Sequence, residues 1–439
     1  MRNHARTLVA LATLLSIAPS LYAQATSSAS GDSVSLATLR ADALRLDPRQ
    51  RQLSLQARAS DLRLRNIDAE RKPSLAVDGQ GQYQSAVTQI PISLPGVSVP
   101  TPPHDTYDAH LGVQQSLYDP TTSARRNVER AQLAESQAQT RATLFSLRQE
   151  VNDAFYAAAV VNQRLAEIDG AITDLSARLR ETVIKLREGT ALPGDTAAIA
   201  ASLLQRQQDR MQLQADRTAA LARMADLVGH PVAERSVFVV ANDSAVVVAA
   251  QQAIDTSRGR PEFAQFAASR DRLASQVAVE AAQEKPKVSA FGRVGYGRPG
   301  LNMLSRDFQS YWLGGVQVHW APWTWGTTSR DREINELQRE IVTTNEEAFR
   351  RSLRRGVEQT VATIARLDST LMLDDQIVSL RERIDAETRA KLREGVVTAA
   401  DYVDKSTDLL TARLVRIQHR VELAQARTTF LTTLGVEVP

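Results

Sequence analysis

The sequence predicts a mixed α and β fold that consists mostly of long coiled-coil α-helices, with four β-strands per chain. Three features predict it: an internal twofold repeat, heptads within long proline-free segments, and four segments in which apolar and polar residues alternate. Heptads indicate helices that pack on other helices, and strict alternation indicates strands with two unlike faces. These patterns favour a rod or a tube over a globular core.

One sequence unit occurs twice in the chain. Residues 185–189, Lys-Leu-Arg-Glu-Gly, recur as residues 391–395, and the same shift of 206 carries Asp195 onto Asp401. Nearer the start of each unit the shift is 213, because the first copy carries a longer, proline-rich loop. Since one offset holds over more than a hundred residues, we interpret the chain as a duplicated framework with one loop insertion.

The segment from Thr121 to Glu188 predicts one very long helix. It contains no proline and one glycine, and its apolar or small residues recur at alternating steps of three and four. Such a seam is typical of a left-handed coiled coil, and the helix would be about 100 Å long. Flanking helices over Leu36–Arg71 and Asp195–Val228 are predicted at about half that length. In the second copy the seam changes phase at Leu373, Ile377, Leu380 and Ile384. This phase change predicts a local change in supercoil.

Period-two alternation predicts four strands, over about residues 74–88, 107–118, 287–297 and 310–321. Their lengths suit tilted transmembrane strands of about 9–11 residues, whereas strands of soluble sheets average about five or six. A soluble four-stranded sheet that packs one face on the helices is the alternative.

Membrane-spanning strands would require several copies of the chain. Four strands cannot close a barrel, because known barrels have at least about eight strands, and unpaired strand edges are not tolerated in lipid. A trimer would supply twelve strands.

Residues 1–25 predict a signal peptide. Arg2 and Arg6 precede an apolar stretch from Thr7 to Leu21, and Ala23-Gln24-Ala25 offers a small-residue cleavage site. A buried N-terminal helix is the alternative.

Composition excludes several classes of protein. No later segment approaches about 18 consecutive apolar residues, which excludes a helical membrane protein. Loss of Arg2 and Arg6 lowers the formal charge from +3 to +1, which gives no electrostatic basis for nucleic acid binding. The chain has no cysteine, its six histidines lack ligand spacing, and it contains no catalytic motif. We therefore expect no enzyme activity, metal or cofactor. The alternative of an enzyme is supported only by scattered carboxylates.

Over about residues 34–436 the chain resembles the TolC-like outer-membrane efflux family. The resemblance rests on the duplicated helix–hairpin–helix layout and on an ordered set of motifs at matching offsets. These motifs are Lys72-Pro73-Ser74-Leu75 and Lys285-Pro286-Lys287-Val288 before strands, Leu117-Tyr118-Asp119 after a strand, and Leu227-Val228-Gly229 and Thr433-Leu434-Gly435 at helix ends.

The resemblance implies a homotrimer in the outer membrane of a Gram-negative bacterium. Its twelve-stranded β-barrel would contact outer-membrane lipid, and its periplasmic α-barrel would dock a periplasmic adaptor protein and an inner-membrane pump. The chain would then be a passive duct of a tripartite efflux or type I secretion system. Residues 26–229 and 259–439 would be the two repeats, linked by residues 230–258 beside the middle of the helical barrel.

The alternative is a periplasmic coiled-coil adaptor or structural protein that lacks a membrane barrel. An adaptor should show a single helical hairpin flanked by β-rich segments, whereas here the whole unit is duplicated.

Asp401 and Asp404 are the sharpest functional candidates. They stand three residues apart, share a helix face, and follow a turn at the predicted periplasmic end. Threefold symmetry would make them two carboxylate rings that attract cations, and the family carries an acidic ring at the matching positions. Asp195 is a further candidate for this ring. For each Asp the alternative is a helix N-cap, which we favour at Asp195.

The two turns are candidates for contact with the adaptor, and they comprise Glu188, Gly189 and Thr190 in the first copy and Glu394, Gly395 and Val396 in the second. A purely structural interpretation is that glycine lets the chain reverse at positive φ. The family prototype closes its entrance with a Tyr and an Arg near the second turn, where this chain has Leu392 and Val397.

Overall fold

In the computed structural model of the chain, the structure describes residues 33–88, 101–240, 244–252 and 259–436. The predicted signal peptide at residues 1–25 lies outside the described residues. The elements, in chain order, are β1 (Ser33–Val34), α1 (Leu36–Leu46), α2 (Arg49–Ala69), β2 (Ser74–Tyr83), β3 (Asp105–Tyr118), α3 (Thr121–Arg187), α4 (Pro193–Val228), β4 (Val237–Phe238), α5 (Ser244–Gln252), α6 (Pro261–Gln283), β5 (Lys287–Arg298), β6 (Gln309–His319), α7 (Thr327–Arg393) and α8 (Ala399–Leu434).

The fold is mostly helical, as the sequence predicts. Helices α3 and α7 contain 67 residues each, so each is about 100 Å long. Helices α4 and α8 contain 36 residues each and fold back along them. The first residues of α3 and α7, Thr121 and Thr327, stand 206 positions apart. None of the described helices is both long and apolar enough to cross a membrane.

The first helical segment differs from our expectation of one helix over Leu36–Arg71. The structure has two helices there, α1 and α2, separated at Asp47. Asp47 is extended, with ψ at 127°, because the ring of Pro48 disfavours helical geometry in the residue before it. The Asp47 carboxylate accepts a hydrogen bond from the Arg49 backbone N–H at 2.7 Å and so stabilises the start of α2.

The four long strands form one antiparallel sheet in the order β2-β3-β5-β6. Strands β2 and β6 are the two edges of this sheet. A second, two-stranded parallel sheet pairs β1 with β4 and so joins the start of the first copy to the segment after α4.

The helices form a single row at each level of the molecule. Near the sheet the order is α2-α3-α6-α7, and farther from the sheet it is α4-α3-α8-α7, with α4 also touching α8 where these two helices begin. One side of the row therefore ends in α2 and α4, and the other side ends in α7.

The largest apolar core lies midway along α3, where α1, α4, α8 and β4 meet it. Phe155 is fully buried there and packs edge-on against Phe238, with ring centroids 5.4 Å apart. The hydroxyl groups of Tyr156 and Thr428 lie 2.6 Å apart in a hydrogen bond that connects α3 with α8. Burial of these large side chains holds the two repeats together at mid-height.

Helix α7 carries two apolar stripes where the sequence predicts a change in phase. The seam residues Leu353 and Leu367 are buried, and below them Val378 continues on the same side. The residues at the phase change are instead 40–58% exposed, and we call them the outer α7 stripe: Leu373, Ile377, Leu380 and Ile384. Helix α7 is continuous here, so these residues form a second face of one helix, and the change in supercoil stays a prediction.

Candidate functional site

The sheet turns its apolar face outward. Alternate residues of the strands place Val77, Trp312 and Val316 on one face, where they are 83%, 79% and 65% exposed. The other face carries polar residues such as Asp78 and His110, which are paired across β2 and β3. Within the described residues no strand of this sheet packs extensively on a helix. The structure therefore does not support a soluble sheet whose apolar face packs on the helices.

Aromatic side chains lie at both ends of this apolar face. At the end far from the helices, Phe308 stacks against Tyr107 and Tyr296, with ring centroids 6.2 and 5.6 Å away. At the helical end Trp320 and Trp323 are more than half exposed, and the Trp320 indole N–H donates to the Glu284 carbonyl at 3.0 Å. Two aromatic bands that flank an apolar band are typical of a membrane-facing surface.

The two hairpin turns lie at the opposite end of the molecule, and we call this region the tip. In both turns a glycine has a φ of 74°. The backbone N–H of the next residue donates to a carbonyl in the last turn of the preceding helix, from Thr190 to Lys185 and from Val396 to Lys391. Nothing lies within 4 Å of a Cβ placed on either glycine, so a side chain would fit there. Glycine is favoured at these positions because of the positive φ, which other residues rarely adopt. All six predicted turn residues are exposed: Glu188, Gly189, Thr190, Glu394, Gly395 and Val396.

Asp401 is both the N3 residue of α8 and an exposed carboxylate. It accepts hydrogen bonds from the Thr398 hydroxyl at 2.7 Å and from the Thr398 N–H at 3.0 Å, and its own N–H bonds to that hydroxyl. This is a capping box. The Thr398 hydroxyl and N–H keep the pKa of Asp401 below its ordinary value, so Asp401 is ionised at neutral pH. Asp404 is exposed one turn farther along the helix.

Asp195 has a different environment from Asp401. One carboxylate oxygen accepts the Leu192 N–H at 3.0 Å, and the other accepts the Ala399 N–H of the second hairpin at 3.1 Å. The repeat places Pro193 where the second copy has Ala399, and proline has no N–H. Asp195 thus joins the two hairpins, while the corresponding donor for Asp401 is missing.

A partly buried polar cluster, which the sequence did not point out, lies just above the tip. Tyr402 of α8 is fully buried, and its hydroxyl donates to Asp174 of α3 at 2.5 Å. Arg389 of α7 contacts Asp174 at 3.3 Å and Asp385 at 3.1 Å. Burial raises the pKa of Tyr402 to about 12, and the Asp174 carboxylate acts in the same direction. The cluster connects three helices that are distant in sequence.

Leu392 and Val397 stand where the family prototype has its entrance-closing Tyr and Arg. Leu392 packs against the apolar group formed by Leu175, Ile199 and Ala399 beside Tyr402. A groove of about 600 Å³ runs between the two turns and is lined by both hairpins, including Asp195 and Thr398. Polar connections near the tip are therefore present, but at other positions than in the prototype.

Residues 254–436, in the second copy of the repeat, match the family model described as outer membrane efflux protein. The sequence match to this family therefore covers the second copy. No curated protein sequence matches this chain.

Solved channel structures share the fold of this chain over nearly its whole length. CusC, whose crystal structures concern folding and transmembrane channel formation, aligns with a TM-score of 0.68 and 14% identity over 92% of each chain. VceC of Vibrio cholerae aligns with a TM-score of 0.66 and 14% identity over 91% of this chain and 96% of the VceC chain. The open-state MtrE outer membrane channel of Neisseria gonorrhoeae aligns with a TM-score of 0.63 and 17% identity over 91% of this chain and 89% of the MtrE chain.

Proposed function

We propose that this protein is a subunit of a passive outer-membrane export duct, in which three copies join head to tail around a water-filled axis. The observation that carries the proposal is the outward apolar face of a sheet whose two edge strands, β2 and β6, have no partner in the described chain. Lipid contains no water to satisfy the N–H and C=O groups of such edges, so β2 of one copy must pair with β6 of another.

The helices support the same assembly. Strand β2 directly follows α2, and β6 directly precedes α7, so each free sheet edge continues into a free edge of the helix row. Exposed apolar residues lie on both sides. They are Leu55 and Leu62 of α2 and Leu204 and Met211 of α4 on one side, and Ile334, Leu337, Ile341 and the outer α7 stripe on the other. Contact between these unlike sides is head-to-tail and closes into a ring.

Three copies would give a barrel of twelve strands, within the range of known membrane barrels. The α-helices would continue this barrel into the periplasm, and the tips would meet the periplasmic adaptor and, through it, an inner-membrane pump. The exposed turns around Gly189 and Gly395 and the groove between them would be the contact surface for the adaptor. The duct itself would perform no bond chemistry, and the pump would supply the energy.

At the tip, Asp401 and Asp404 would form two carboxylate rings that attract cations. Their exposure and the ionised state of Asp401 support this role. Asp195 would contribute less, because both of its oxygens already accept backbone N–H groups. Acidic rings in pores select for cations.

The test is conductance in planar bilayers with the full-length processed protein purified in detergent. We expect pores with a cation preference, measured as the reversal potential in a KCl gradient. The variant Asp401→Ala/Asp404→Ala should lose much of that preference. Asp216→Ala, which removes an exposed acid from the middle of α4, is the matched control and should not.

The outcomes separate two claims. If the protein forms no pores and stays monomeric in water without detergent, the duct is wrong and a periplasmic structural or adaptor role gains support. If pores form and Asp401→Ala/Asp404→Ala keeps the full cation preference, the proposal of a duct is supported and the proposal of an acidic ring is wrong.

A further inference from the structure

The polar face of the sheet carries a row of residues in register across all four strands. Asp78 of β2 is opposite His110 of β3, which is opposite Gly295 of β5, which is opposite Tyr311 of β6. A Cβ at position 295 would stand 2.7 Å from side-chain atoms of both His110 and Tyr311. The glycine therefore makes room for those two side chains to come together.

His110 lies between two carboxylates. Its Nδ1 is 2.6 Å from an Asp108 oxygen, and its Nε2 is 3.4 Å from an Asp78 oxygen. The other Asp108 oxygen accepts the Tyr311 hydroxyl. A neutral imidazole has one N–H, whereas an imidazolium has two and can donate to both carboxylates. The site thus accommodates the imidazole in either charge state.

Four groups surround the imidazole, and we call them with His110 the His110 cluster. Asp78 comes from β2, Asp108 from β3, Tyr311 from β6, and Arg293 of β5 interacts electrostatically with Asp108 and Tyr311. Two carboxylates and one guanidinium give a formal charge of −1 while His110 is neutral. Protonation of His110 brings the cluster to zero.

In a closed assembly the polar face lines the interior, so the cluster would repeat around the water-filled axis. Histidine is the side chain whose charge ordinarily changes between about pH 5 and 8. A ring of fixed negative charge raises the local concentration of cations, and loss of that charge removes the effect.

We infer that the His110 cluster forms a second charged ring, inside the barrel, whose negative charge and hence cation preference are set by protonation of His110. The inference rests on the proposed duct. It concerns a different level of the molecule from Asp401 and Asp404, which lie at the tip. The preference for cations is high when His110 is neutral and falls when His110 is protonated.

The experiment compares reversal potentials of native pores at pH 9 and pH 5. We expect the cation-to-anion permeability ratio to fall by about threefold from pH 9 to pH 5, since protonation of His110 takes the net charge of each copy's cluster from −1 to zero. His110→Gln replaces the imidazole by a neutral amide, and its ratio should stay near the native pH 9 value at both pH values.

His319→Gln is the matched control. His319 lies on the same face of the sheet, nearer the helices and opposite Lys287, and this variant should keep the native pH response. Asp78→Asn tests the ring without changing the histidine: it should lower the ratio at pH 9 and still show a fall at pH 5. This variant keeps the inference testable if His110→Gln fails to assemble.

Three results would overturn the inference: a native ratio that does not change with pH, a pH response that persists in His110→Gln, or one that disappears in His319→Gln. Failure of the duct itself is distinguishable, because then no variant forms pores. Asp401→Ala/Asp404→Ala should lower the ratio at pH 9 and retain its fall at pH 5.

Discussion

The carboxylate of Asp195 accepts a hydrogen bond from the backbone N–H of Ala399 at 3.1 Å, and so ties the first hairpin to the second at the tip. Asp401 stands at the corresponding place in the second copy, and the repeat relates its counterpart donor to residue 193. That residue is proline, which cannot donate. In the trimer that we propose, the tip would therefore be tied within each copy and would lack the equivalent tie between copies.

Ala399→Pro should loosen the tie and leave the helix intact. Proline is well tolerated at the first position of a helix, where α4 already has Pro193. The lost hydrogen bond contributes about 1 kcal/mol, so we expect a several-fold rise in the open fraction of single channels. Hydrogen exchange at the α8 start should rise in parallel.

Pro193→Ala supplies the opposite change, because it restores an N–H at the boundary between copies. It should lower the open fraction or leave it unchanged. A rise in the open fraction of Pro193→Ala as large as that in Ala399→Pro would contradict this account of the tie.

Tyr402→Phe should weaken the region just above the tip by removing the hydroxyl that donates to Asp174. Hydrogen bonds to charged groups contribute about 1.5–3 kcal/mol, and the Tyr402 side of this one is fully buried. We expect faster hydrogen exchange in the lower thirds of α7 and α8 and little change near the sheet.

The effect of Tyr402→Phe should not depend on pH between 6 and 9. Folding raises the pKa of Tyr402 from 10.0 to about 12. The stabilisation by the neutral hydroxyl is therefore complete below about pH 10 and is lost only as pH rises through about 12. A difference between native and variant exchange rates that shrinks between pH 6 and 9 would show that another group controls the region.

Ile377→Glu should reduce assembly, because it places a charge in the outer α7 stripe, where we propose that a second copy packs. Burial of an unpaired charge costs several kcal/mol. We expect the oligomer to shift toward monomer in detergent, measured by light scattering, while the helix content of the monomer stays the same.

Ser379→Glu is the control for this prediction. It adds the same charge to an exposed position of the same helix, turned away from the stripe. Equal loss of assembly in both variants would mean that added charge on α7, and not the stripe, is responsible.

Much of the fold follows from local pattern. The heptads of α3 and α7 and the period-two strands each depend only on residues near one another in sequence. Helix and strand geometry determines which face of each element these apolar residues share. The break at Asp47 was also readable in principle, because Pro48 restricts its predecessor.

The candidate site was only partly predictable. The sequence singled out Asp401, Asp404 and the two turns, and it assigned Asp195 mainly to a cap. It gave no sign that Asp195 also reaches Ala399, or that Tyr402 reaches Asp174 of α3. Tyr402 stands at an ordinary position of a helix seam, and nothing near it in sequence distinguishes its hydroxyl.

By itself, the sequence determined the elements, their duplication and the two unlike faces of the sheet. The tertiary structure alone decided that the apolar face points outward, that the outer α7 stripe is free, and that His110 lies between two carboxylates. The physical reason is range: hydrogen bonding and side-chain periodicity act within a few residues, whereas contacts between helices and strands depend on which distant surfaces meet.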